Sequence, residues 1–555
     1  MLKRPNRHPM TSVTLSTNRL LAAPQEQPTG IAGAATLIAA GNITSRVLGL
    51  ARETLIAHLF GATGLVSAFD VAGRVPRMIY DLLVDGLVSS ALVPVFSELA
   101  ERDPAELWRV ASIVLGLTAV VMSGSALLLG LFATQVANLM SPGFEPALLG
   151  YTAHLMRLTA PTVVFLSLSG VVTGLLYALK RFALPAFAVA VFNAGMVVTT
   201  LLLSGLLGWG VESLAAGMLL GSVLQVALQW PGLRGARLRF SLNWRHPGLR
   251  RVARLYAPVV LGLVVSQIGI IIDRNLASRT GEQSIAWMRY ATTLVQFPLG
   301  LVSAAIAMAI LPTLSRLAVP DPAARDAFMD TLARGLKMVW VLILPAVVGL
   351  LTLAEPVVAL VFQHGDFTPF DTGQTALALR LYLLGTAFAA LDLPLVFAFY
   401  ARQNTITPAL VGMAGVGLYL IAALIPTAFR PLRMSDLVLA NSVQLTGHAL
   451  IMLWLAHRFG SLRGRGLGQT GLRALLAALL MACAISLGRW SLANLLPVEG
   501  TLSWLLLVGL AGGLGLIAYV AALVWLRVEE VGALFTLAQR LVGRLPPERG
   551  QPGVD

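Results

Sequence analysis

Asp70, Arg74, Arg77, Asp81 and Asp85 stand in an otherwise apolar stretch at spacings of 4, 3, 4 and 4. That spacing predicts one helical face carrying a stripe of alternating charge. The surrounding run, Val66 to Ala100, has the length and hydropathy of a bilayer-spanning helix. A charge near the bilayer centre costs about 3 kcal/mol on insertion scales. Five on one face therefore predict a wet cavity in place of lipid contact. The chemistry they offer is ion pairing with a charged substrate, and the stripe reads as part of a transport path.

The elements that must position this stripe are membrane helices. Of 555 residues, 57% are hydrophobic and only 12% charged, and the mean hydropathy is +0.79. With about 20 apolar residues needed per crossing, the chain reads as about fourteen spans. The expected fold is an all-α polytopic membrane protein.

The net charge of +14 invites a nucleic-acid reading, but the arginine positions oppose it. Arg234, Arg237, Arg239, Arg245, Arg250, Arg251 and Arg254 cluster between the sixth and seventh spans, while the links at 61–65, 135–148 and 204–210 contain no Lys or Arg. This is the positive-inside pattern, which predicts both termini in the cytoplasm, attraction to anionic membrane lipids and no nucleic-acid partner. The single cysteine, Cys483, leaves no internal disulfide and reads as a buried small residue. The histidines, His364 included, show no metal-ligand spacing, so no metal and no cofactor are expected.

A faint repeat organises the spans. Ala91-Leu-Val-Pro-Val-Phe-Ser-Glu-Leu-Ala100 returns as Ala309-Ile-Leu-Pro-Thr-Leu-Ser-Arg-Leu-Ala318. Tyr177-Ala178 with Pro185-Ala186 returns as Tyr400-Ala401 with Pro408-Ala409, at nearly the same offset. The offset covers six spans, so the repeats share orientation about an axis along the membrane normal, with a cavity between them. The expected organisation is a disordered basic cytoplasmic tail at 1–29 and an N-terminal six-helix lobe at 30–232. A basic cytoplasmic loop at 233–251 leads to a C-terminal lobe at 252–457. A helix pair at 458–527 and a cytoplasmic tail at 528–555 complete the chain. Pro76, Pro94, Pro161, Pro298, Pro312, Pro345 and Pro394 fall inside spans and mark expected bends.

An ordered set of motifs then carries a family resemblance. Ser45-Arg46-Val-Leu-Gly-Leu-Ala-Arg52-Glu53, Phe60-Gly61-Ala62, Ala68-Phe69 and Pro76 open it. Arg181-Phe-Ala-Leu-Pro-Ala-Phe187 with Asn193, and Val265-Ser-Gln-Ile268 leading to Asp273-Arg274, follow. Leu353-Ala-Glu-Pro356, Phe367-Thr368 with Asp371-Thr372, and Phe399-Tyr-Ala-Arg402 with Thr407-Pro408 complete it. From about residue 35 to 460 the chain resembles the MurJ/MviN family of the multidrug/oligosaccharidyl-lipid/polysaccharide exporter superfamily. The resemblance implies a lipid II flippase of the bacterial cytoplasmic membrane, serving peptidoglycan and cell-wall biogenesis and cell shape. It would move the undecaprenyl-diphosphate-linked precursor from inner to outer leaflet by alternating access. It also implies fourteen helices, with the terminal pair forming a groove for the lipid tail, and cell-wall synthesis proteins as partners.

A diphosphate headgroup needs a cationic clamp, and the planar arginine fork suits it. Arg46 and Arg52 match family arginines on the first span, and Arg74 takes a usually basic position in the second. Glu53 and Glu355 read as structural partners. Two family arginines are absent, at Tyr80 and Thr293, and Asp81 also replaces a usually basic residue. Arg77 and Arg289 lie about one turn away, which predicts a clamp raised by about 5 Å toward the outer face. The substrate-binding set is therefore Arg46, Arg52, Arg74, Arg77, Arg289, Asp70, Asp81 and Asp85. For coupling, Tyr419 and Ala423 stand where some relatives are implied to use sodium-binding asparagines, which leaves membrane potential or a proton as the drive and Asp273 and Asp392 as coupling candidates. No G-x-x-x-x-G-K-[ST] loop occurs, so ATP hydrolysis is not expected. The chain reads as a transporter and not an enzyme. An exporter of another polyprenyl-linked glycan and a cation-coupled drug antiporter remain the alternatives.

Overall fold

A computed structural model describes residues 31–319, 321–493 and 500–532. The expected tail at 1–29 lies outside them, as does all but 528–532 of the tail at 528–555. Long helices follow one another along the chain. The first group is α1 (Ile31–Phe60), α2 (Gly64–Arg102), α3 (Pro104–Leu131), α4 (Pro146–Thr159 with Thr162–Ala178), α5 (Ala188–Leu207) and α6 (Glu212–Leu233). The second is α7 (Pro247–Ser278), α8 (Ser284–Leu317), α9 (Pro322–Thr352), α10 (Pro369–Ala401), α11 (Ile406–Ala428) and α12 (Met434–Ala456). The last two are α13 (Leu467–Ala493) and α14 (Thr501–Trp525). Among the described residues eleven helices are long and apolar enough to cross a membrane, or thirteen if each of two bent pairs is one span. The 30-residue α1 stands where the first of the fourteen expected spans lies.

The outside of this bundle is apolar. Leu206, Ile517 and Trp525 are among many large side chains turned outward, as a lipid environment requires. Cys483, expected to be buried, is also exposed. A small apolar side chain is as well accommodated against lipid as in a core, which hydropathy alone does not distinguish.

Helices α1 to α6 pack mainly on one another, through α5 against α6, α6 and α3 against Thr162–Ala178, and α2 against Pro146–Thr159. Helices α8 to α12 do the same, around α10, the most enclosed of the candidate spans. Helix α13 packs on α9 and α14, and α14 also on the short helix Ala354–Phe362. Between the two groups, α8 meets α1 and α2, and α7 meets α2.

Close approach sets the α10–α12 contact. A Cβ added at Gly385 would lie 2.6 Å from the Ser442 Cα, and Ser442 Oγ donates to the Leu381 carbonyl at 2.6 Å. Backbone on both sides cannot yield cheaply. Gly385→Ala is expected to lower stability by about 1–3 kcal/mol through overpacking, read as a fall in the Tm of the detergent-solubilised protein. An unchanged Tm would show that the two helices separate freely.

Two breaks shape the spans. The halves of α4 are bent by 40° beside Pro161, as expected of a residue that cannot continue the backbone ladder. Helix α7 is bent by 57° between Pro247–Ala257 and Gly262–Ser278. Helix α2 is α-helical from Gly64 to Tyr80 and then runs through two π-turns, Asp81–Asp85 and Val88–Leu92. The Tyr256 hydroxyl of α7 donates to the Leu82 carbonyl inside the first of them.

Candidate functional site

Seven of the charges within the helices assemble into one alternating chain. Glu53 on α1 is 3% exposed and takes the Arg289 fork of α8 on both oxygens, with Nε at 2.8 Å and Nη2 at 2.9 Å. Arg52 donates to the same carboxylate at 2.6 Å and to Asn193 Oδ1 at 2.9 Å. Arg289 also reaches Asp70 of α2 at 3.4 Å, and its guanidinium lies over the Phe69 ring. Asp70 in turn faces Arg274 of α7 at 3.3 Å and Arg74 at 3.9 Å. Arg274 extends to Asp273 at 3.7 Å, and Asp273 accepts the Tyr419 hydroxyl of α11 at 2.8 Å.

The sequence places these residues well. Asp70 and Arg74 are one turn apart on the regular part of α2, so both face the helices opposite. Glu53 and Arg289 sit where α1 and α8 meet. Buried ions need partners that offset the loss of water, and here each acid faces at least one arginine. Within this chain of charges two buried atoms keep no hydrogen bond among the described residues, Asp70 Oδ2 and Arg274 Nε.

Beyond this chain of charges opens a cavity of about 660 Å³. Arg74, Arg274 and Asp273 form its charged wall, and Tyr382 and Tyr419 stand beside them. The lining also includes Gln296, Asn441, Gln444, Asp392 and His448. Asp392 of α10 and His448 of α12 are paired at 2.9 Å. The cavity is thus built by α2 from the first group of helices and by α7, α8, α10, α11 and α12 from the second. Its volume falls within the range of small-molecule sites, and it presents guanidinium forks, which bind phosphate bidentately.

The expected site residues divide among four places. Arg74, Asp273 and Asp392 line the cavity, and Arg52, Asp70 and Arg289 form the ion chain behind its wall. Arg46 bridges α1 to α8, donating to the Gln296 carbonyl at 3.0 Å, and it crosses so close to Gly300 that a Cβ there would overlap its guanidinium. Arg77 and Asp81 pair with each other at 3.1 Å and, with Asp85, are absent from the cavity lining. Asp85 lies beside the Tyr80 hydroxyl. Sequence reasoning gave Glu53 only a supporting part and assigned no role to Arg274 or His448. The signal for Arg274 was its position, an Asp-Arg doublet inside an apolar span. His448 carried none.

The motifs of the resemblance find structural work as well. Asn193 holds Arg52 and donates to the Ser45 carbonyl at 3.0 Å. Gly61, at φ 61°, fits its backbone against Asp366 and accepts the buried Tyr290 hydroxyl at 2.8 Å. Thr368 and Asp371 cap α10 reciprocally, and Asp371 also accepts Trp287 Nε1 at 2.8 Å.

Comparison with known proteins decides the family. The profile of the family described as lipid II flippase MurJ matches residues 56–506. The chain belongs to the MurJ family. A probable lipid II flippase MurJ of Vibrio cholerae is 33% identical over 389 residues, covering 68% of this chain and 74% of its own. The lipid II flippase MurJ of Burkholderia cenocepacia is 31% identical over 470 residues, 80% of this chain and 88% of its own. These MurJ relatives are named as flippases, transporters in place of enzymes. A solved MurJ structure, in an inward closed conformation, superposes with a TM-score of 0.74 at 23% identity, covering 89% of this chain and 99% of that one. A multidrug-resistance MATE transporter in an inward-facing conformation gives 0.64 at 15% identity, over 77% and 99%. The fold is therefore the multi-pass helical fold of MurJ and its MATE relatives, with eleven to thirteen candidate spans among the described residues where fourteen were expected.

Proposed function

We propose that this protein flips lipid II across the bacterial cytoplasmic membrane, from the inner to the outer leaflet, by alternating access. The observation that carries the reading is the cavity of the second helix group, closed by Arg74 of α2 and bordered by Arg274, in a chain whose relatives are named lipid II flippases. A diphosphate cannot cross hydrocarbon without replacement of its hydration, and Arg74 and Arg274 supply forks for it. Arg289 sits behind them and balances Asp70 and Glu53, which keeps both acids from competing with the substrate. The polar wall of Asn441, Gln444 and Gln296 suits sugar and peptide amides. Helices α1 to α6 and α7 to α12 act as the two lobes, and α13 with α14 as the groove for the polyprenyl tail. Both termini are cytoplasmic on this reading, which the arginine distribution supports.

In cells depleted of their own lipid II flippase, this protein is expected to restore growth and outer-leaflet lipid II. Arg74→Ala, at unchanged membrane abundance, is expected to reduce the outer-leaflet signal at least tenfold. Rescue of growth without any change in outer-leaflet lipid II would overturn the assignment. Failure of a membrane-inserted protein would point to another polyprenyl-linked glycan.

A further inference from the structure

The Asp392–His448 pair sits in the same cavity, yet neither residue joins the arginine chain. Its two residues come from α10 and α12, and each is about four-fifths buried, with side chains 21% and 17% exposed. An ionisable pair in a membrane interior is expensive and marks a function by default. Histidine is also the side chain whose charge changes between about pH 5 and 8.

The surroundings leave its charge to decide that of the site. From α11, Tyr419 faces the cavity; from α7, Asp273 and Arg274; from α2, Arg74; from α10, Tyr382. Helix α8 contributes only uncharged groups there, Gln296 and Thr292 among them, and α12 adds Asn441 and Gln444. The ion chain itself holds four arginines (Arg52, Arg74, Arg274 and Arg289) against three acids (Glu53, Asp70 and Asp273). It carries one net positive charge. With His448 neutral, Asp392 cancels that charge. With His448 protonated, the pair is itself neutral and the excess positive charge stands. Arg46 adds a fixed charge at the Gln296 carbonyl that pH does not alter.

Nδ1 of His448 is the nitrogen that meets Asp392, at 2.9 Å, and no described residue hydrogen-bonds Nε2. A neutral ring donating Nδ1–H to the carboxylate therefore keeps its Nε2 lone pair to accept a proton from water. We infer that His448, held by Asp392, is a proton-binding site linked to the anion site, so that an anionic headgroup and a proton enter the cavity together and leave together. By reciprocity, whatever factor protonation adds to anion affinity, the anion adds to proton affinity. Transport through such a site carries a proton with each headgroup, which ties it to the pH on each side of the membrane. The inference rests on the reading that a diphosphate occupies this cavity.

The test titrates the purified full-length protein in detergent with farnesyl diphosphate, a short polyprenyl diphosphate. Calorimetry in buffers of different ionisation heat counts the protons taken up per ligand bound. The wild type is expected to take up a measurable fraction of a proton near pH 6.5 and to bind several-fold more tightly at about pH 5.5 than at pH 7.5. In His448→Gln the uptake should fall to that of the ligand's own titration, which is common to both proteins. The pH ratio of affinities should shrink with it. Asp392→Asn removes the negative charge that cancels the arginine excess, so it should bind farnesyl diphosphate more tightly than the wild type at pH 7.5. Equal proton uptake in the wild type and His448→Gln overturns the linkage and leaves the flippase reading standing. Absence of farnesyl diphosphate binding in the wild type removes both.

Discussion

Asp70→Asn is expected to cost the folded protein about 3–5 kcal/mol, the loss typical of breaking a buried ion pair from one side. Three arginines converge on this carboxylate: Arg274 at 3.3 Å, Arg289 at 3.4 Å and Arg74 at 3.9 Å. They come from α7, α8 and α2, so one side chain neutralises cations from both helix groups. Without it Arg289 keeps Glu53 and Arg274 keeps Asp273, but Arg74 loses its only ion-pair partner among the described residues. An amide of nearly the same size leaves the packing intact, so the effect isolates charge. Thermal or denaturant unfolding in detergent measures it. Adding Arg74→Gln to Asp70→Asn removes the stranded cation and should recover part of the loss, a coupling that a double-mutant cycle reads directly. A single mutant within about 1 kcal/mol of the wild type would mean that water or lipid phosphate reaches these arginines and the network holds little.

Asp70 and Arg74 were legible in the sequence because opposite charges one turn apart in an apolar run can neither face lipid nor stay unpaired. Their partners were not. Glu53 and Arg289 lie 236 positions apart, and nothing local in either segment names the other. The pairing exists because α1 and α8 touch, a tertiary fact. Arg77, Asp81 and Asp85 show the limit of periodicity. Their spacing continues the α-helical stripe, but the backbone turns to i→i+5 bonding at Asp81, and the register beyond Tyr80 no longer follows a period of 3.6. Hydropathy located the long helices closely because each must cover the same thickness of hydrocarbon. It could not tell that Cys483 faces outward, since lipid and protein core are equally apolar. The motifs around Asn193, Gly61 and Thr368 recovered the fold through local geometry: a side-chain bridge, a left-handed turn and a helix cap.

Arg274→Ala is the substitution expected to damage transport most. Its guanidinium borders the cavity, holds Asp70 and Asp273, and keeps a buried Nε with no hydrogen-bond partner among the described residues. Arg77, in contrast, is half exposed, has Asp81 as its one ion-pair partner among the described residues and lies off the cavity lining. The proposed function therefore assigns the phosphate clamp to Arg74 and Arg274, which border the cavity, in place of the expected pair Arg77 and Arg289. Loss of one charge-assisted bidentate contact in a dry site is worth about 3 kcal/mol, roughly a hundredfold in affinity or rate. Arg274→Ala should therefore fail to support growth in flippase-depleted cells, and Arg77→Ala should support it. Arg274→Lys keeps the charge that balances Asp70 but loses the planar fork. It should fold as the wild type does and still transport poorly, which separates substrate binding from the upkeep of the ion chain. If Arg274→Lys transports fully while Arg77→Ala does not, the headgroup lies at Arg77, where the missing family arginines first placed the clamp.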